Sequence, residues 1–169
     1  MRRVFALIRT VIIATFFLSL WLWFLPRWAV GNNAYADARL AGLILFIPGL
    51  LLAGWCALEF AWRGFGTPAP FDPPRRLVIS GPYRFVRNPM YVGAGIAFLG
   101  EAITFPHLTT LMLAVFVVTW IASTVFIVVY EEPTLRRLFG DDYANYCRHV
   151  RRWLPRLTPF DNQTKAAVP

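Results

Sequence analysis

The chain has 169 residues, of which 57% are hydrophobic and only 15% charged, and its mean hydropathy is +0.51. This composition is typical of membrane proteins and excludes a soluble domain with an ordinary charged surface. The net charge of +8 does not indicate a nucleic-acid partner, because the cations lie beside apolar runs, where membrane topology requires them.

The sequence predicts an all-α, polytopic membrane helix bundle with about four transmembrane spans. The first apolar run extends from Val4 to Val30. A signal peptide cleaved near Ala34-Tyr35-Ala36 is an alternative for this run, but its Trp-rich end favours a signal-anchor span. The second run, Leu40–Trp62, is long enough to cross a bilayer core of about 30 Å.

The third and fourth apolar runs are Pro89–Phe105 and Leu108–Tyr130. The short link between them predicts an antiparallel helical hairpin. Residues 63–87 are rich in Pro, Gly and Arg, which is typical of a membrane-proximal loop. Glu101 lies inside the third run, where an ionisable residue suggests a function. Exposure at the membrane interface explains it equally well, so we leave Glu101 out of the candidate site.

The arginines lie mainly on one side of the predicted spans. With the N-terminus inside, only Arg27 and Arg39 fall on the outer side. Positive charge marks the cytoplasmic side of membrane proteins. We therefore expect both termini and the Ser80–Asn88 loop to be cytoplasmic, with the protein in the inner (plasma) membrane.

The chain becomes polar after the fourth run, and its pattern predicts an amphipathic cytoplasmic helix. Apolar residues recur there at helical spacing, namely Leu135, Leu138, Phe139, Tyr143, Tyr146, Cys147 and Val150. Gly140 and Asp141 are expected to break this helix, and its arginines would lie on the inner leaflet. We divide the chain into two N-terminal spans (1–62), a catalytic half (63–160) and a disordered tail (161–169).

The segment Ser80–Gly95, SGPYRFVRNPMYVGAG, holds the main candidate site. Asn88 is a good N-cap and Pro89 suits the first helical position, so together they predict a helix start. The free N–H groups of such a start attract anions. Gly93 and Gly95 would let a ligand approach the backbone closely. A membrane helix with a small-residue packing face is the alternative interpretation.

Two adjacent carboxylates, Glu131 and Glu132, lie at the cytoplasmic end of the fourth run. They could pair with loop arginines such as Arg84 and Arg87, or they could meet a cationic ligand. Neighbours on a helix point about 100° apart, so both cannot address the same atom. We expect one carboxylate to face a ligand and the other an arginine.

Two ordered motifs, GPYRFVRNPMYVGAG and YEEPTLRRLFGDDYANYCRHVRRWLPRL, resemble the isoprenylcysteine carboxyl methyltransferase and phospholipid methyltransferase group of integral-membrane enzymes. The resemblance covers about Leu77 to Leu157. It implies S-adenosylmethionine as the cofactor and a lipophilic or lipidated substrate that arrives from the lipid bilayer. The cofactor-binding residues that it implies are Arg87, Asn88, Pro89, Tyr91, Glu131 and Glu132, with Gly93 and Gly95 matching the phospholipid branch.

The sulfonium of this cofactor suits a carboxylate or an aromatic face, which makes Tyr83, Tyr91 and Tyr130 candidate walls. The chain departs from the isoprenylcysteine enzymes at Asn88, where they usually have His. An acid–base role for that His therefore does not transfer, and we assign no catalytic residue. Cys56 and Cys147 show no metal-binding spacing, and we expect no metal.

The sequence leaves several functions open. No residue is an obvious base, which favours a carboxylate or thiolate acceptor, so an isoprenylcysteine-carboxyl-methyltransferase-like activity is the first prediction. A phospholipid N-methyltransferase is the alternative, supported by Gly93 and Gly95. A non-catalytic membrane interaction protein would explain the spans but not the polar cluster at one depth. A nicotinamide-dependent membrane reductase is a weaker option.

Overall fold

The computed structural model describes residues 27–28, 31, 38–64 and 75–161. The first predicted span, the alternative signal peptide and residues 162–169 of the predicted tail lie almost entirely outside this part. Its four α-helices are α1 (Leu43–Glu59), α2 (Pro89–Thr104), α3 (Thr109–Phe126) and α4 (Glu132–His149). Within the described residues there is no strand, so the all-α prediction is confirmed.

The helix boundaries agree with the sequence at α2 and differ from it after α3. Helix α2 begins at Pro89, because the fixed φ of proline suits the first helical position. The helix continues beyond the fourth apolar run, since a π-helical turn, Ile127–Glu131, joins α3 directly to α4. The predicted break lies at Gly140, whose φ of 48° kinks α4.

Two helical stretches, Leu40–Gly64 and Pro106–His149, are long and apolar enough to cross a membrane. Helix α2 has 16 residues. At 1.5 Å per residue it rises about 24 Å, which is short of a bilayer core of about 30 Å. The number of four spans and their sidedness therefore stay predictions.

Helices α1 and α2 pack with their backbones in direct contact. A Cβ atom on Gly49 would lie 2.5 Å from the Ala97 nitrogen, and one on Gly93 would lie 2.8 Å from the Gly49 oxygen. Small residues allow membrane helices to approach this closely. Gly93 therefore lies in the small-residue packing face that the sequence offered as an alternative to a ligand contact.

A short 3₁₀ turn, Pro106–Leu108, connects α2 to α3 and gives the predicted hairpin. The Thr109 hydroxyl donates to the Ala102 carbonyl (2.8 Å) across this turn. Glu101 is only 1% exposed, so the structure buries it instead of leaving it at an interface. It lies at the end of α2 away from the Ser80–Asn88 loop, outside the candidate site.

The chain after α4 runs back over the Ser80–Asn88 loop, and we call residues 150–161 the C-terminal strap. Three backbone hydrogen bonds of 2.9 Å join strap and loop: Arg87 N–H to Arg151 O, Arg156 N–H to Phe85 O, and Phe160 N–H to Arg84 O. The loop is thereby held along its whole second half.

Helix α4 packs its apolar side against the strap and the loop. Tyr143, Tyr146, Val150 and Phe160 form a buried cluster there, with Leu135, Phe139 and Cys147 packed against it. Leu138, by contrast, is 53% exposed. Most of the predicted apolar stripe is thus covered by protein, and contact of α4 with a membrane leaflet stays a prediction.

Candidate active site

A pocket opens where the loop, the start of α2, the π turn and α4 meet. Its empty volume is about 650 Å³, counting the open mouth. The residues that line it are Phe60, Leu77, Val78, Tyr83, Arg87, Asn88, Met90, Tyr91, Ile127, Glu131, Glu132, Leu135, Tyr143 and Tyr146. Six of the nine predicted cofactor-binding residues are among them.

Glu132 is held by two arginines, and we call Arg87, Glu132 and Arg152 the clamp. The Arg152 guanidinium donates to both Glu132 oxygens, at 2.8 and 3.0 Å, and Arg87 Nη1 donates at 3.1 Å. The hydrogen bond to Glu132 raises the pKa of Arg152 further. The Glu132 side chain is only 7% exposed, so both of its oxygens are committed inside the protein.

Arg87 is only partly satisfied by the clamp. Its Nη1 also contacts the Cys147 sulfur at 2.9 Å. Its Nε is buried and has no hydrogen-bond acceptor within the described part of the chain. A buried donor without an acceptor costs free energy, so this position favours an anionic ligand group.

Glu131 has a different environment from its neighbour. The Tyr91 hydroxyl donates to Glu131 Oε2 at a long 3.4 Å, and both residues line the pocket. Among the described residues, Glu131 meets this hydroxyl and no guanidinium. The expected pairing of one carboxylate with an arginine is therefore present, at Glu132, and the contact of Glu131 with a ligand stays a prediction.

Asn88 occupies the N-cap position as predicted, but its side chain does not cap the helix. The amide nitrogen donates to the Arg152 carbonyl oxygen of the strap (3.3 Å) instead. The capping role predicted for this side chain is therefore wrong, although the helix starts at Pro89 as expected. Asn88 is 8% exposed and ties the helix start to the strap.

Gly95 makes room for an aromatic ring of a neighbouring helix. A Cβ atom at this position would lie 3.0 Å from Cζ3 of Trp120 on α3, so the missing side chain makes room for the indole ring. Neither Gly93 nor Gly95 is among the described residues that line the pocket. Their role in cofactor binding stays a prediction, and the contacts they make are helix packing.

The predicted aromatic walls differ in position. Tyr83 is 5% exposed beside Phe60, and burial raises the pKa of its phenol well above the ordinary value, so the ring is neutral. Its carbonyl oxygen accepts the Tyr146 hydroxyl at 2.6 Å. Tyr130 is 46% exposed, stacks on Phe126 and lies outside the pocket lining, so its predicted role as a pocket wall is wrong.

Arg84, which the sequence offered as a partner for Glu131 or Glu132, does not pair with either of them. Its Nε donates to the Phe160 carbonyl oxygen (2.8 Å), and its guanidinium lies 3.9 Å from Asp161. It therefore anchors the strap. Sequence reasoning missed Arg152 as a partner of Glu132, because only the return of the strap brings it there.

The residues present fit a cofactor with separated charges. S-adenosylmethionine carries an anionic carboxylate and a cationic sulfonium. The unsatisfied Nε of Arg87 suits the first, and Glu131 beside Tyr91 suits the second. Among the described residues, no three His, Cys, Asp or Glu side chains form a group that could hold a metal ion.

Comparison with known proteins identifies relatives for most of the chain. A family model described as phospholipid methyltransferase matches residues 38–142. A phosphatidylethanolamine N-methyltransferase of Laccaria bicolor (strain S238N-H82 / ATCC MYA-4686) is 28% identical over 151 residues. That match covers 82% of this chain but only 15% of the relative, so the chain spans a small part of its length. No solved structure matches the chain.

Proposed function

Because the chain belongs to the phospholipid methyltransferase family, we propose that it is an S-adenosylmethionine-dependent methyltransferase acting on the amine of a membrane phospholipid. The observation that carries the proposal is one pocket holding both an arginine with an unsatisfied buried donor, Arg87, and a carboxylate free of arginine contacts, Glu131, within the described residues. The substrate in the relative's name, phosphatidylethanolamine, favours an amine acceptor. We therefore prefer the phospholipid alternative to the isoprenylcysteine-like activity that the sequence placed first.

The proposed reaction is an in-line displacement at a methyl carbon. When bound, S-adenosylmethionine would supply the methyl group, which the amine nitrogen would take while the C–S electron pair returns to sulfur. The protein supplies position and charge. Arg87 would hold the carboxylate end of the cofactor, and the clamp fixes Arg87 in place.

We assign the contact with the cationic ammonium group of the substrate to Glu131. An ammonium headgroup must lose a proton before its nitrogen can attack. Among the described residues, Glu131 is the pocket carboxylate that an arginine does not neutralise, so it is our candidate proton acceptor. The Tyr91 hydroxyl orients it. Glu131 thereby takes the role of the base, for which the sequence alone offered no obvious residue.

The proposal places the pocket at the cytoplasmic face of the inner membrane, with four spans and both termini inside. Reporter fusions at Asn33 and His107 should then read outside, and fusions at Pro70 and Lys165 should read inside. The arginine distribution motivates this arrangement. An inside signal at Asn33 would contradict it.

Two measurements on purified protein in lipid nanodiscs test the activity. The first is binding of radiolabelled S-adenosylmethionine. The second is transfer of its methyl group to phosphatidylethanolamine, compared with transfer to a prenylated cysteine under the same conditions. We expect binding, and methylated phosphatidylethanolamine as the product.

Each alternative function predicts a different result. Methylation of the prenylated cysteine alone would favour the isoprenylcysteine-like activity. Failure to bind the cofactor would favour a non-catalytic membrane protein. Asp141→Asn is a suitable control, because Asp141 is an exposed carboxylate on α4 that does not line the pocket.

A further inference from the structure

A row of aromatic rings leads away from the pocket towards the membrane-spanning helices. The edge of Tyr91 meets Trp153 of the strap, with ring centroids 6.5 Å apart and nearly perpendicular planes. Trp153 packs on Trp120 of α3 at 4.6 Å. Phe116 lies one helical turn further from the pocket, 5.6 Å from Trp120. The row thus joins the pocket residue Tyr91 to a helix that is apolar enough to span a bilayer.

The positions of the two indole rings are fixed by contacts with α2 and by the neighbouring clamp. Trp120 fits against α2 because Gly95 carries no side chain. Trp153 follows Arg152 directly, whose side chain is held by both oxygens of Glu132 and whose carbonyl accepts from Asn88. Both tryptophans are half-buried.

We propose that Tyr91, Trp153 and Trp120 form a binding wall for the methylated ammonium group of a lipid headgroup. This inference rests on the proposed function and names the residues that would recognise the substrate. Aromatic faces attract organic cations, Trp most strongly, and rings of this kind bind quaternary ammonium groups elsewhere. The guanidinium of Arg152, the neighbour of Trp153 in the chain, pairs with Glu132.

The wall would act unequally on successive methylation steps. A primary ammonium has three N–H donors and binds best to a carboxylate such as Glu131. Each added methyl group removes a donor and adds apolar surface, so attraction shifts from the carboxylate to the aromatic rings. The wall should therefore matter most for the second and third methyl transfers and least for the first.

Binding of two single-chain amphiphiles tests the wall without any transfer reaction. The probes are dodecylphosphocholine and dodecylphosphoethanolamine, which differ only in the three methyl groups on nitrogen. We expect the unmodified protein to bind the choline probe about fivefold more tightly. Trp153→Leu should abolish this preference, a loss of about 1 kcal/mol by the usual conversion of affinity ratios. Trp153→Phe, which keeps a ring, should retain part of it.

Trp62→Leu is the matched control, because Trp62 is 55% exposed on the turn after α1 and does not line the pocket. It should leave the preference unchanged. If Trp153→Leu does not fold, Trp120→Phe takes its place, since the smaller ring should lower the preference about twofold. An unchanged preference in the variant that folds, or equal loss of both probes, overturns the proposal.

A transfer assay adds a readout that distinguishes this inference from the proposed function. With phosphatidylethanolamine as substrate, Trp153→Leu should accumulate the monomethyl product, whereas the unmodified protein proceeds further. If Trp153→Leu carried out the first and the later methyl transfers in the same proportion as the unmodified protein, the result would contradict the binding wall. If the unmodified protein did not bind S-adenosylmethionine, only the proposed function would be refuted. The affinities for the two amphiphiles can still be measured without the cofactor.

Discussion

Glu131 and Glu132 are neighbours in sequence but belong to two regions that treat charge in opposite ways. In the clamp, the Glu132 side chain is 7% exposed, and its two oxygens accept hydrogen bonds from Arg87 and Arg152. In the pocket, Glu131 accepts one hydrogen bond, from the Tyr91 hydroxyl at 3.4 Å. A carboxylate satisfied by the protein contributes to its structure, whereas a loosely held one is available to a ligand. The comparison predicts that the two positions fail differently when mutated.

The largest effect is expected from Glu132→Gln, which breaks the clamp. Two guanidinium groups would lose their shared counter-charge inside a largely buried cluster, which should lower the free energy of unfolding by about 3 kcal/mol. Affinity for S-adenosylmethionine and for its demethylated product should fall together. Chemical unfolding in detergent measures the first quantity, with Asp141→Asn as control. A stability loss below about 1 kcal/mol would show that the clamp is not structural.

A smaller loss is expected from Arg152→Met, because Arg87 then still pairs with Glu132. Hydrogen bonds to charged groups contribute about 1.5–3 kcal/mol, and Arg152 is a third exposed, so we expect about 2 kcal/mol. In the Glu132→Gln background the same change should cost little more, since the partners act as one unit. Full additivity of the two losses would refute the clamp as described.

Glu131→Gln should leave stability almost unchanged and act on the ligand. The sulfonium is charged only before transfer, so S-adenosylmethionine should weaken about tenfold relative to the demethylated product. That ratio is about 1.4 kcal/mol. It is well within the ~4 kcal/mol available at 4 Å in an effective dielectric of 20, before desolvation is subtracted. Calorimetric titration with both ligands gives the ratio, and an unchanged ratio would remove the electrostatic role of Glu131.

The smallest effect is expected from Asn88→Ala, which removes the hydrogen bond to the strap. At 3.3 Å this bond is long, so we expect about 0.5 kcal/mol of stability. Hydrogen exchange should nevertheless speed up at the strap amides of Arg156 and Phe160, which donate to the loop. Faster exchange only in the first turn of α2 would point back to a capping role.

The sequence was sufficient to predict features that depend on local chemistry. Pro89 marks the first helical residue because its φ is fixed, and Gly140 kinks α4 because only glycine accepts its positive φ readily. The sequence also predicted that one of the two adjacent glutamates pairs with a loop arginine, since a helix separates the directions of neighbouring side chains, but it left open that this glutamate is Glu132 and its partner Arg87.

Features that depend on the path of the strap could not be predicted from the sequence. Arg152 belongs to a basic run that suits a membrane surface, and nothing in its spacing points to Glu132. Asn88 has a good side chain for a cap, yet its amide nitrogen donates to the strap carbonyl and its oxygen makes no capping hydrogen bond. Gly95 indicates a close approach, but only the fold shows that Trp120 makes it.

The π-helical turn Ile127–Glu131 determines where the two carboxylates point. A π turn holds one residue more than a turn of α-helix. If the same five residues formed ordinary α-helix instead, α4 would be rotated by about 100° relative to α3. Glu132 would then turn away from Arg87, although every charged residue would still be present. The extra residue that the π turn holds therefore sets the direction of the carboxylates.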